Sequence, residues 1–224
     1  MPYPLGGVWA VGDSKTYGID GNDGGGCAWR DPSWSFLSAV GGNLYGSQAG
    51  GENFVNCPIS GLPLKSDGHN GFTLAQITAG MSGWYSFVTG NQGVPSGVVF
   101  YGGTNDCVQF VSGTPGFSYD QMFADFDTSM ATLFGLIPST IPVFVCQLDP
   151  MVAFAVYGSG NPLPPFNAYV AAAVKRLQRQ GKRAYLVSLD SVSSWDAGGV
   201  HQDTAGYAQT GAAIVHAIKT LAPG

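Results

Sequence analysis

Five short apolar runs punctuate this chain, at residues 7–11, 53–57, 97–101, 141–148 and 183–189, each bounded by Gly, Asp or Pro. Runs of this length without a strict polar alternation read as buried strands. Between them lie segments with helical spacing of apolar residues, at 34–40, 74–88, 119–134, 166–180 and 204–221. Near-continuous apolar strands separated by helices imply a parallel sheet covered on both faces, because parallel strands need crossover connections and the crossing helices hide the faces. The expected fold is therefore α/β, a three-layer αβα sandwich around a five-stranded parallel sheet. In such sheets ligands bind beyond the carboxyl ends of the strands, so the polar residues just after each run are the ones to read for chemistry. Glycine-rich segments at 18–26, 41–51, 61–71 and 111–116 are expected to form loops on that side.

With 224 residues, 45% of them hydrophobic, and neither repeats nor an interdomain linker, the chain is expected to form one domain over 1–224. Charged residues are only 10% of the chain and the formal net charge is −5, which argues against nucleic acid and anionic membranes as partners. No apolar run approaches the ~20 residues of a membrane span. The first residues, Met-Pro-Tyr-Pro-Leu-Gly-Gly, lack the basic and apolar regions of a signal peptide, yet abundant Gly, Ser, Thr and Asn with few Lys and Arg lean toward a secreted protein. Cys27, Cys57, Cys107 and Cys146 show no metal-ligand spacing. They fit either two disulfides, Cys27 with Cys57 and Cys107 with Cys146, or buried free thiols.

Three polar motifs follow the expected strands. Gly12-Asp13-Ser14 closes the first run, Gly103-Thr104-Asn105-Asp106 follows the third, and His201 precedes the last helix with Gly206-Tyr207 five and six residues later. A fourth block is Asp67-Gly68-His69-Asn70-Gly71-Phe72-Thr73. In this order the motifs resemble the GDSL/SGNH hydrolase family along nearly the whole chain, and the fourth is similar in style to carbohydrate acetylesterases of that family. The resemblance implies a flavodoxin-like SGNH fold and a serine esterase with no cofactor or metal. It assigns Ser14 as nucleophile, His201 as base, and the N–H groups of Ser14 and Gly68 with the Asn105 amide as oxyanion donors. The chemistry suits these residue types: a hydroxyl needs a base near neutral pH, and the tetrahedral intermediate needs preset donors. Asp13 and Asp106 are expected to brace loops, and His216 to lie in a helix without a chemical part.

One position departs from the family pattern. Where an Asp usually stands three residues before the histidine, this chain has Gly198. Orientation of His201 is left to Asp196, to a backbone carbonyl near Gly198, or to Asp190, in that order. His69, Phe72 and Trp195 are expected to line the substrate site, since flat aromatic faces suit sugar rings. The expected substrate is a small-molecule or polysaccharide acyl ester, with acetylated carbohydrate of the acetylxylan kind foremost. The alternatives are a general short-chain esterase or lysophospholipase, and a noncatalytic carbohydrate-binding module of the same fold.

Overall fold

The computed structural model describes residues 6–18, 29–30, 36–37, 42–47 and 65–221. Among these the chain runs β1 (Gly7–Gly12), α1 (Ser14–Tyr17), β2 (Asn43–Tyr45), β3 (Asp67–Gly68), α2 (Leu74–Asn91), β4 (Gly97–Tyr101), α3 (Thr104–Val111), α4 (Tyr119–Leu136), β5 (Val143–Cys146), a 3-10 segment (Val152–Gly160), α5 (Leu163–Arg179), β6 (Ala184–Val187) and α6 (Thr204–Leu221).

The sheet is parallel, in the order β2-β1-β4-β5-β6. Its first edge position is shared: β2 pairs with Gly7 to Trp9, and β3 pairs with Val11 and Gly12 on the same strand. Every residue of β1, β4 and β5 is buried, as expected where helices cover both faces. β6, at the far edge, is only half-buried at its two middle residues. Side chains alternate between the two layers along β4. Phe100 meets the edge of Phe126 on α4, which in turn meets Phe166 on α5. The Tyr101 hydroxyl points the other way, to Gln202 and through it to Thr210 on α6.

The helices form where apolar residues recur at three and four positions. Leu74, Ile77, Met81 and Val88 of α2 are buried, as are Met122, Phe126, Met130 and Leu133 of α4. Ser118 caps α4 by accepting the Gln121 N–H at 3.2 Å, and Gln76 reaches back to accept the Thr73 N–H at 2.9 Å at the start of α2. Among the described residues no helix is long and apolar enough to cross a membrane.

The expected strand at 53–57 lies outside the described residues, as do Cys27, Cys57 and most of the expected helix at 34–40. The pairing of Cys107 with Cys146 is corrected: both are buried free thiols, one inside α3 and one at the end of β5. Burial pushes both thiols above their ordinary range, so they behave as small core side chains.

Candidate active site

The site is built at the carboxyl ends of β1, β3, β4 and β5. At the end of β1, Asp13 turns the chain into α1. Its side chain accepts the Lys15 N–H at 3.0 Å and the Thr104 N–H at 3.0 Å, while its own N–H donates to the Tyr101 carbonyl at 3.1 Å. One carboxylate thus caps two helices and fixes the ends of β1 and β4 together. Burial raises the Asp13 carboxyl above its ordinary value, although those N–H groups and Lys15 act against it. The single turn of α1 ends at Gly18, whose φ of 99° is a left-handed conformation suited to glycine. Ser14 is the first residue of α1 and only 2% exposed.

His201 lies 187 residues later, yet its Nε2 is 3.0 Å from Ser14 Oγ. It is carried on a narrow hairpin in which Trp195 and Gln202 face each other as an antiparallel bridge and the Asp196 N–H donates to the His201 carbonyl at 3.0 Å. Asp196 Oδ2 stands 4.0 Å from His201 Nδ1, beyond hydrogen-bond reach, and its Oδ1 accepts the Gly199 N–H at 2.8 Å. Asp190 is exposed and accepts the Ser188 hydroxyl instead. Among the described residues no carbonyl is hydrogen-bonded to the His201 ring, so Asp196 is the carboxylate the fold sets beside it. Burial lowers the His201 pKa below the ordinary histidine value and Lys15 lowers it further, with Asp196 and Asp149 pulling the other way. The imidazole is therefore neutral at neutral pH and able to accept a proton.

On the opposite side of Ser14, Gly68 sits in β3 directly against α1. A Cβ there would come within 2.3 Å of the Tyr17 backbone nitrogen, so only glycine fits this approach. The His69 N–H donates to the Gly12 carbonyl at 3.0 Å. Because N–H groups alternate along a strand, that of Gly68 points away from β1. Asn105, in the first turn of α3, donates one amide hydrogen to the Phe72 carbonyl at 3.0 Å, which orients the group and leaves its second hydrogen for a ligand. Asp106 accepts the Leu74 N–H at 2.9 Å and so ties α3 to the start of α2.

The three expected substrate residues fall on both flanks. The His69 ring is stacked between Phe72, with centroids 4.6 Å apart, and Trp84 at 4.2 Å, so both of its faces are covered. Burial lowers its pKa, with Asp67 opposing. Trp195 stands on the histidine side with its indole N–H turned inward to Asp149 Oδ2 at 3.0 Å. His216 is exposed on α6, away from this constellation.

Sequence reasoning missed the buried polar residues beneath the pair: Lys15, Tyr101, Asp149 and Gln202. The signal for two of them was present. Lys15 adjoins the nucleophile candidate, and Asp149 closes the apolar run 141–148 at the strand end where such sheets carry their chemistry.

A hydroxyl facing a neutral imidazole beyond the carboxyl ends of a parallel sheet is an arrangement that suits acyl transfer. No protein-family model and no curated protein sequence matches the chain. Its fold is shared with solved GDSL-type hydrolases. A family 3 carbohydrate esterase from Clostridium thermocellum is 21% identical, with 96% of each chain covered and a TM-score of 0.70. An acetyl esterase, solved as a serine-to-alanine mutant with acetate ion, is 18% identical over 97% of this chain and 98% of its own, with a TM-score of 0.69. An acetylxylan esterase from Geobacillus stearothermophilus is 14% identical over 97% and 96%, with a TM-score of 0.66.

Proposed function

We propose that this chain is a serine esterase of the GDSL/SGNH type that removes small acyl groups, foremost acetate, from carbohydrate. The observation that carries the reading is the 3.0 Å contact between Ser14 Oγ and His201 Nε2 at the carboxyl ends of a parallel sheet. Ser14 Oγ attacks the ester carbonyl while its proton passes to His201 Nε2. The carbonyl oxygen becomes an oxyanion held by the N–H groups of Ser14 and Gly68 and by the Asn105 amide. Collapse of that intermediate breaks the bond to the leaving alkoxide, which takes the proton back from His201. Water, deprotonated by His201, then attacks the acyl-Ser14 ester and releases the acid. Asp196 faces the imidazolium formed in both steps.

Acetate is favoured among acyl groups because an acetyl esterase and an acetylxylan esterase stand among the similar structures. The carbohydrate part rests on the company of the fold: a carbohydrate esterase and an acetylxylan esterase stand among the similar structures. The test is acetate release from acetylated xylan and from a chromogenic acetate ester, with the intact protein and with Ser14→Ala. The expected result is release from both substrates, lost in Ser14→Ala. Turnover of the chromogenic ester alone would make this a general short-chain esterase, and silence on both, followed by silence on longer acyl esters, would sink the enzymatic reading.

A further inference from the structure

We propose that Asp149 is the positioning residue that holds His201 against Ser14, acting through a buried ion pair with Lys15 and the donors gathered around it. The inference rests on the reading of Ser14 and His201 as nucleophile and base. Lys15 Nζ meets Asp149 Oδ1 at 2.6 Å, and both side chains are fully buried. The Tyr101 hydroxyl donates to the same Asp149 oxygen at 2.7 Å, and the Trp195 indole N–H donates to the other at 3.0 Å. The Gln202 amide donates to Tyr101 Oη at 3.1 Å, and Thr210 on α6 donates its hydroxyl to Gln202 Oε1 at 2.9 Å.

The connectivity gives the network its meaning. Lys15 follows Ser14 and Gln202 follows His201 in sequence, while Trp195 and Gln202 are the two facing residues of the hairpin that carries the imidazole. One carboxylate therefore receives the neighbour of the nucleophile, one arm of the histidine hairpin directly, and the other arm through Tyr101. Asp196 makes no comparable bond, since its nearest oxygen is 4.0 Å from Nδ1. The function that a hydrogen-bonded aspartate performs in a triad, fixing the ring, here falls to contacts on either side of His201 along the chain.

Stability alone does not account for the pair. Removing both charges from water is costly, and apolar replacements of buried ion pairs are often as stable or more so. In a chain with only 10% charged residues, a lysine and an aspartate nevertheless lie in the core beneath the reacting pair. The charges that face His201 are Lys15 from α1, Asp149 from the end of β5, and Asp196 from its own hairpin; Lys15 depresses its basicity and the two carboxylates restore it. Burial by itself would raise the Asp149 carboxyl, but Lys15 and the hydrogen bonds from Tyr101 and Trp195 outweigh this and keep it ionised.

The experiment compares Asp149→Asn, Lys15→Met, the double variant and Trp195→Phe with the intact protein. It reads kcat and KM on a chromogenic acetate ester, the labelling rate of Ser14 by a fluorophosphonate, and the His201 pKa by NMR. Asp149→Asn is expected to lower kcat by about 10²-fold with little change in KM, as a displaced catalytic group does, and to move the His201 pKa down because Lys15 is left uncompensated. Lys15→Met is expected to move that pKa up. The double variant removes both charges, so its pKa returns toward the native value while kcat stays low, because the donors have lost their charged acceptor. Trp195→Phe, which removes one donor and no charge, is expected to lower kcat with a smaller change in pKa.

A merely structural pair would shift the His201 pKa by charge alone and leave kcat native in the folded variants, so native kcat in Asp149→Asn or in the double variant overturns the proposal whatever the pKa does. If Asp149→Asn does not fold, the charge-neutral double variant and Trp195→Phe still decide. Absence of both ester cleavage and Ser14 labelling in the intact protein would count against the esterase reading alone, since the NMR titrations judge the coupling of Asp149 to His201 without substrate.

Discussion

Asp149 and Asp106 are both buried carboxylates one step behind the proposed reacting groups, and their surroundings are opposite. Asp149, under the histidine flank, meets a cation and two neutral donors, which hold it ionised despite burial. Asp106, behind Asn105, accepts one N–H from Leu74, while its other oxygen is buried with no hydrogen-bond partner among the described residues. Burial, with the nearby Asp13 charge adding to it, pushes its carboxyl up to about 7. The histidine flank is thus charge-compensated, whereas the oxyanion flank depends on close backbone approach and carries a group that titrates near neutrality. A fold that places a base needs a stable electrical setting around it; one that places neutral N–H donors needs mainly shape.

The largest expected effect tests the flank that carries the base. His201→Ala should lower kcat on an acetate ester by on the order of 10⁶-fold, as loss of the base in a serine hydrolase does, and should stop Ser14 labelling by a fluorophosphonate. Asn105→Ala, on the oxyanion flank, should cost about 10²–10³-fold in kcat with little change in KM, the size of one lost oxyanion donor. Equal losses in the two variants, measured by steady-state kinetics on one ester, would erase the distinction between the flanks.

How much of this was legible in sequence divides along the same line. The central strands could be read because β1, β4 and β5 are buried on both faces, so their apolar runs are uninterrupted. The two-residue β3 and the four-residue α1 carry no periodicity and could not be read that way. Ser14, Gly68 and Asn105 stood out because each follows or adjoins a strand end within a recognisable block, and His201 because it precedes the last helix in such a block; the structure sets Ser14 Oγ and His201 Nε2 3.0 Å apart. Lys15 and Asp149 stood at strand ends too, but their pairing across 134 residues exists only in three dimensions. Of the two alternatives for Cys107 and Cys146, a disulfide between strand-end loops or buried free thiols, the second holds, because Cys107 lies inside α3 and Cys146 in β5 rather than in loops.

A smaller effect sharpens the histidine flank. Asp196→Asn should cost roughly tenfold in kcat, because a partly exposed charge contact is worth about 1 kcal/mol. That is far short of the ~10⁴-fold loss on disabling a hydrogen-bonded triad aspartate. A loss as large as the latter, measured beside Asp149→Asn on the same ester, would mean that Asp196 closes onto Nδ1 during turnover.

The smallest effect on rate, and the one that isolates the oxyanion flank, comes from Asp106→Asn. The carboxyl has a folded-state pKa of about 7 against 3.8 for an unperturbed aspartate, so the folded protein holds its proton more tightly than the unfolded chain. Such a group favours folding most below pH 3.8, and the advantage is lost as pH rises toward 7, by at most about 4 kcal/mol. Asparagine keeps an acceptor for the Leu74 N–H and cannot ionise. Denaturant melts from pH 5 to 8 should therefore show the intact protein losing stability relative to Asp106→Asn as pH rises, with the gap levelling off above pH 7. A gap that stays constant across that range would mean that the Asp106 carboxyl is ionised throughout, and that the oxyanion flank is compensated after all, like the flank that carries His201.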